Sequence, residues 1–298
     1  MGIQTTDRRS AVKKIKQLIY TPKSDTLKFR KIIEDTFSIV DIPNNVERII
    51  TEIADVSCEK LIPDVCSKKR VMLYIHGGSF VGGSAKAYRG FCASLANATS
   101  TKTIVPNYSL APEYPFPKGF DDLKKILNEL KKEKDKKIVL VADSSGASLA
   151  LALVQDEISN NNTNTFSQII LISPIVNISK DSLIFSVRRA KDEVVSSDCI
   201  KRQADVYTYE SNLQNPLVSP IYCEFSVLQK FPPVYIQCGS SELFYPEILR
   251  FSENLRLANI DYELDVWTDM IHLFQMADEF LPEAHLAIEK IGKYIKAE

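Results

Sequence analysis

From Val46 onward, short continuous apolar runs alternate with stretches whose apolar residues recur at helical spacing. The runs are Val71-Met72-Leu73-Tyr74-Ile75, Thr103-Ile104-Val105, Ile138-Val139-Leu140-Val141, Ile169-Ile170-Leu171-Ile172 and Val234-Tyr235-Ile236. All are bounded by turn residues, as strands buried on both faces are. Tyr262 to Trp267 alternates apolar and polar instead, which predicts a late strand with one buried face. Between runs, Asp121 to Lys132 sets Leu123, Ile126, Leu127 and Leu130 on one side of a helix, with Asp121 and Asp122 favourably near its start. The alternation predicts an α/β protein with a mostly parallel central sheet and helices on both faces.

Two segments stand outside that rhythm. Residues 1–45 carry helical spacing at Val12, Ile15 and Ile19 and end in the Pro43-Asn44-Asn45 break, a helical preface to a core spanning 46–298. Residues 177–230 are polar, charged and interrupted by proline, too long for a plain connection, and are expected to form an inserted cap or lid with its junction to the core. Ser159 to Thr165 reads as a polar surface loop.

Composition narrows the class. In 298 residues, 45% are hydrophobic and 25% charged, which suits one globular core plus a lid. The formal charge of -1 supplies no long-range field toward nucleic acid or an anionic membrane, so selectivity is expected from a pocket. No apolar run reaches the ~20 residues of a membrane span, and the first residues lack a secretory pattern; a cytoplasmic protein is expected. Met1-Gly2-Ile3-Gln4-Thr5-Thr6 formally fits N-myristoylation at Gly2, with Arg8, Arg9, Lys13, Lys14 and Lys16 as a basic second signal. The six cysteines contain no C-x-x-C pair and resemble neither a disulfide framework nor a zinc site. No metal or cofactor is expected, and a homodimer is compatible with the sequence.

Candidate chemistry gathers at the ends of the predicted strands. Ala142-Asp143-Ser144-Ser145-Gly146 follows the run 138–141 and precedes a helix-like stretch, the setting of a serine lifted on a strand-to-helix turn with small residues two before and two after it. Ser145 is a rival nucleophile only if that small-residue rule is dropped, and a serine-rich helix cap is the bland alternative. His76-Gly77-Gly78-Ser79-Phe80 follows the run 71–75; backbone N–H groups of Gly77 and Gly78, with that of Ser145, would bind a tetrahedral oxyanion. A bare H-G-G is also a common turn.

Only three histidines are present. His76 sits in the proposed oxyanion loop, where its ring would brace the turn, and His285 lies off the apolar stripe of a late helix. His272, in a loop after Tyr262 to Trp267, is left as general base. An acid to hold its tautomer should lie between serine and histidine, and Glu242 in Gly239-Ser240-Ser241-Glu242 fits best, with Glu247 and Asp269 as competitors.

Together these residues resemble the hormone-sensitive-lipase-like branch of the α/β-hydrolases, over most of residues 70–295. Phe80-Val81-Gly82-Gly83-Ser84 is similar to the family's continuation of H-G-G, and Tyr108-Ser109-Leu110-Ala111-Pro112-Glu113-Tyr114-Pro115-Phe116-Pro117 to its Y-R-L-A-P-E-x-x-x-P signature. Asp143 to Ala147 looks like its D-S-A-G-G elbow, Leu217-Val218-Ser219-Pro220 like a lid-to-core junction, and Met270 to Phe274 like its histidine loop. Ser109 replaces an arginine, Ala142 and Ala147 replace glycines, and Glu242 stands where the family usually has aspartate followed by proline. The resemblance implies an α/β-hydrolase fold with a helical cap from 1–45 and 177–230, and a serine carboxylesterase that cleaves small to medium acyl esters with water through an acyl-enzyme. It also implies that Phe80, Phe185 and Tyr207 line the substrate pocket. Two alternatives stay open: an amidase, formamidase or acyltransferase with the same triad, or a non-catalytic small-molecule receptor, whose relatives lack the histidine.

Overall fold

One sheet of eight strands organises the chain: β1 (Val46–Ile53), β2 (Val56–Pro63), β3 (Arg70–Ile75), β4 (Lys102–Pro106), β5 (Lys137–Asp143), β6 (Phe166–Ile172), β7 (Val234–Gly239) and β8 (Tyr262–Trp267). The computed structural model describes residues 5–39, 42–133, 136–186 and 192–296, so the acylation pattern at Gly2 lies outside the described residues. Spatial order is β1-β2-β4-β3-β5-β6-β7-β8. The pairs β1/β2 and β2/β4 are antiparallel and every other pair is parallel, the mostly parallel sheet that the apolar alternation predicts.

The continuous runs are the central strands. Val139, Leu140 and Val141 of β5 and Ile169 to Ile172 of β6 are fully buried, and each such side chain stabilises the fold by roughly 1.5–3 kcal/mol. The hairpin β1/β2 has no counterpart among the predicted runs. Its outer strand is largely exposed and carries Glu47, Arg48 and Glu52, so it reads as polar even though it pairs fully with β2. Charged residues on a sheet edge also disfavour pairing with another chain.

Helices α1 (Thr5–Ile15) and α2 (Thr26–Phe37) precede the sheet; α3 (Ala85–Thr99), α4 (Lys118–Leu130), α5 (Ser144–Ser159), α8 (Tyr245–Leu257) and α9 (Pro282–Lys296) cover its two faces. The predicted N-terminal helix stops at Ile15, a single 3-10 turn follows, and Ile19 is extended. The second helix begins where Asp25 accepts the Lys28 N–H at 2.9 Å and satisfies one amide of its first turn. Its stripe Phe29, Ile33 and Phe37 is buried. In α4, Leu123, Ile126, Leu127 and Leu130 face inward as their spacing requires. Helix α5 is buried along almost its whole length, which explains its Ala and Leu content.

Between β6 and β7 the chain leaves the sheet and forms α6 (Ser197–Tyr207), the single turn α7 (Phe225–Leu228) and isolated 3-10 turns. Glu247 of α8 holds the start of this excursion: its Oε1 accepts from Asn177 Nδ2 at 3.1 Å, Ser182 Oγ at 2.8 Å and Leu183 N at 2.6 Å. Among the described residues, no helix is long and apolar enough to cross a membrane.

Candidate active site

The ends of five strands, β3, β5, β6, β7 and β8, build the site. β5 ends at Asp143 and α5 begins on the next residue, so Ser144 sits on the turn itself with φ at +45°. A left-handed backbone at a non-glycine residue is a strained conformation, here imposed by the abrupt change from strand to helix. Gly146 cannot be larger, because a Cβ there would lie 2.2 Å from the Ile75 carbonyl oxygen. Strand β3 and helix α5 therefore meet at van der Waals distance. Ala142 in β5 is fully buried, and a methyl is accommodated where the strict elbow has glycine.

Ser144 Oγ lies 3.1 Å from His272 Nε2, and His272 Nδ1 lies 3.2 Å from Glu242 Oε2. The ring of His272 is inaccessible to solvent, and so is the Glu242 side chain. Burial pushes the Glu242 carboxyl above its ordinary range, opposed by its hydrogen bond to His272, the positive charge that ring can carry, and the donors Gly239 N and Ser173 Oγ. The loop after β7 delivers the acid. Gly239 N donates to Glu242 Oε1 at 2.6 Å, and a Cβ at Gly239 would strike the Met270 carbonyl oxygen at 2.1 Å, so glycine lets the acid and histidine loops touch.

The loop after β3 faces the helix start. Phe80 N–H donates to Ser145 Oγ at 3.1 Å, which pins residues 78–80 against the first turn of α5. Gly77 N–H is not available to a ligand: it donates to Asp143 Oδ1 at 2.8 Å. The expectation that Gly77 contributes an oxyanion donor is therefore corrected. Among the described residues, the N–H groups of Gly78 and Ser79 have no protein acceptor, and Ser145 N–H belongs to the first turn of α5, where amides lack partners within the helix. Ser79, with φ at +61°, has a free N–H beside that of Gly78 and is a candidate donor that sequence reasoning missed. Its hydroxyl offsets the unfavourable backbone by donating to Leu18 O at 3.1 Å and accepting from Tyr20 N at 3.0 Å.

Behind the loop, Asp143 accepts from Tyr74 OH at 2.7 Å and Tyr88 OH at 3.1 Å as well as from Gly77. Burial raises its carboxyl to about 6 against the pull of those donors. His76 lies between the rings of Tyr88 and Tyr108, at 5.2 and 4.5 Å between centroids, and its Nδ1 is 2.8 Å from Gly77 O. Burial lowers it to about 4, so it is a neutral brace at ordinary pH.

A family profile described as the alpha/beta hydrolase fold matches residues 72–276. The chain belongs to that family, in its hormone-sensitive-lipase-like branch. It is 30% identical over 231 residues to a protein named esterase from Acinetobacter venetianus, covering 76% of this chain and 75% of that one. A Streptomyces hygroscopicus protein named acetyl-hydrolase is 27% identical over 229 residues, with the same coverage. The crystal structure of an esterase from the bacterial hormone-sensitive lipase family superposes with a TM-score of 0.90 at 25% identity, covering 100% of this chain and 99% of that one.

Within this hydrolase the rival residues lie elsewhere. Ser145 Oγ is held by Phe80 N, Glu247 is engaged at the start of the β6–β7 excursion, and Asp269 is exposed on the surface. His285 is exposed and pairs with Glu289 at 3.4 Å. Phe80 and Tyr207 stack beside the oxyanion loop, 3.9 Å between centroids and 16° between planes, whereas Phe185 packs under Lys201 Nζ at 5.6 Å. Sequence reasoning also missed Ser173, just past β6. It donates to Glu242 Oε1 at 2.7 Å and accepts from Leu273 N at 3.2 Å, joining the acid to the histidine loop. The only signal for it was a serine at a parallel strand's carboxyl end, where sites of open α/β sheets gather. Among the described residues, no group of three His, Cys, Asp or Glu side chains is arranged to hold a metal ion.

Proposed function

We propose that this hydrolase cleaves small to medium acyl carboxylic esters through an acyl-enzyme on Ser144. The observation that carries the reading is the hydrogen-bonded line from Ser144 Oγ to His272 Nε2 and from His272 Nδ1 to Glu242 Oε2. Ser144 attacks the ester carbonyl carbon while its proton passes to His272. Glu242 holds the ring in the tautomer whose Nε2 is free to accept, and its charge stabilises the imidazolium that forms. The oxyanion accepts N–H groups from Gly78, Ser79 and Ser145, and the expelled alcohol leaves with the proton from His272. Water then attacks the acyl carbon by the same proton route, releasing the acid and restoring Ser144.

The described parts of residues 1–45 and 177–230 cap this centre. The stacked pair Phe80 and Tyr207 walls the acyl pocket on the oxyanion side, and Phe185 belongs to the cap's outer part. Serine hydrolysis of this kind, rather than small-molecule reception, is favoured by the histidine in contact with the serine. In the test, purified protein and Ser144→Ala are compared on p-nitrophenyl butyrate and with a fluorophosphonate probe. Turnover should fall by ~10⁴-fold or more and labelling should vanish. Unchanged turnover in the variant would overturn the assignment.

A further inference from the structure

The total charge of -1 conceals an uneven distribution. Residues 1–37, through the end of α2, carry nine Lys or Arg and four Asp or Glu, a net of +5, which leaves -6 on the remainder of the chain. Four of the nine cations are engaged: Arg8 with Glu193, Lys14 with Glu279, Arg30 with Glu113 and Lys31 with Asp35. Among the described residues, the side chains of Arg9, Lys13, Lys16, Lys23 and Lys28 have no partner. Lys16, Lys23 and Lys28 surround one hollow of about 370 Å3 whose apolar part is Ile19, Phe29 and Ile32; the one carboxylate there, Asp25, caps α2. Gln17 is shared with a neighbouring hollow that adds Lys13 beside the Lys14–Glu279 pair, so the unpaired cations continue along α1. Large apolar side chains are left in water among these lysines: Leu27 is 72% exposed and Ile32 42%.

We propose that this face, built from the segment between α1 and α2 and from α2 itself, docks the protein on an anionic phospholipid surface. Unpaired ammonium groups are attracted to the negative headgroup plane, and Leu27 and Ile32 enter the acyl boundary between them. A polyanion such as duplex nucleic acid would match the lysines but has no use for exposed Leu27 and Ile32, which is why a lipid surface is favoured. The docking face backs directly on the oxyanion loop: Leu18 and Tyr20 hold the Ser79 hydroxyl, and Phe29 and Ile33 press on Gly82. The proposal stands apart from the ester-hydrolase reading, because binding is measured without turnover.

The experiment is co-sedimentation of the full chain with vesicles of phosphatidylcholine alone or with about one third phosphatidylserine. Wild-type protein should sediment with the anionic vesicles only and be released by salt, since such attraction is screened. The triple variant K16Q/K23Q/K28Q should partition about 100-fold more weakly, at roughly fivefold per lysine. L27S/I32S should lose about tenfold or more, and salt should still weaken what remains. The same charge change at exposed Lys69, Lys125 and Lys230 should leave partitioning within about twofold, and thermal unfolding establishes that each variant is folded. The proposal is overturned by no vesicle binding, by equal binding to neutral and anionic vesicles, by an equal loss in the control variant, or by lysine-dependent binding of a duplex oligonucleotide without vesicle binding.

Discussion

Two buried carboxylates flank Ser144, and they do different work with similar surroundings. Glu242, past β7, accepts from His272 Nδ1, Ser173 Oγ and Gly239 N; Asp143, at the end of β5, accepts from Tyr74 OH, Tyr88 OH and Gly77 N. Burial raises both. The difference lies in one donor. A tyrosine hydroxyl keeps its proton throughout, the more so here because burial pushes Tyr74 and Tyr88 well above their ordinary range. An imidazole instead can change charge; Glu242 is hydrogen-bonded to it, whereas Asp143 feels that ring only at a distance, as the smallest of the influences on it. A carboxylate among fixed donors organises backbone; a carboxylate hydrogen-bonded to an imidazole beside a serine is placed to support the proposed chemistry.

Replacing Glu242 with Gln should break the comparison most strongly. The amide keeps the shape but can present a donor to His272 Nδ1, which favours the wrong tautomer and removes the charge that stabilises the imidazolium. Turnover of p-nitrophenyl butyrate should fall by about 10³–10⁴-fold with little change in thermal unfolding. Glu242→Asp, which shortens the reach by one methylene and keeps the charge, should recover part of that loss. If Gln at 242 were as active as Glu, the two carboxylates would be equivalent scaffolding.

Much of this contrast was legible before any coordinates. The runs that became β3, β5, β6 and β7 were visible because strands buried on both faces cannot tolerate polar positions. Ser144 and His272 were legible from local context and from the scarcity of histidines. The edge hairpin β1/β2 was hidden because its outer strand is largely exposed and charged, so no continuous apolar run marks it. Glu242 could not be parted from Glu247 by chain order alone. They differ by where the backbone turns: Glu242 precedes α8, while Glu247 lies inside its first turn and meets the cap segment. Gly77 and Ser79 show the same limit. Which of several consecutive amides points at a cavity depends on a carboxylate, Asp143, that reaches the loop from another strand.

Ser173→Ala sharpens the comparison from the acid side. Its hydroxyl is the link between Glu242 Oε1 and the Leu273 amide, so truncation leaves a buried N–H without its acceptor and one carboxylate oxygen with a donor fewer. One lost charged hydrogen bond in a buried site is worth about 1.5–3 kcal/mol, and only part of it acts on the reaction. Turnover should fall by about tenfold, with KM nearly constant, because the residue orients the acid without touching substrate. Ser173→Thr keeps the hydroxyl and should retain more activity than Ala. A purely structural serine would lower the unfolding temperature and leave the turnover of the folded enzyme and its pH profile unmoved.

Asp143→Asn should change turnover least and the pH dependence of stability most clearly. The Asn side-chain oxygen can still accept from Gly77 N–H and Tyr74 OH, so the oxyanion loop keeps its anchor and activity should stay within about tenfold. Its proton chemistry is removed entirely. Asp143 titrates at about 6 in the folded protein against 3.8 for an unperturbed group, so between those values the folded state holds the proton more often. The contribution of this group to stability is therefore fully present below pH 3.8 and lost as pH rises through about 6, by about 3 kcal/mol. His76, lowered to about 4 from 6.5, acts in the opposite sense: its contribution is present above 6.5 and lost as pH falls toward 4. In wild type the two slopes partly cancel between pH 4 and 6. Denaturant unfolding of Asp143→Asn across that window should therefore show stability rising more steeply with pH than in wild type, by about one proton's worth of slope. Parallel profiles would mean that Asp143 is ionised across this window and that its tyrosine and glycine donors offset its burial.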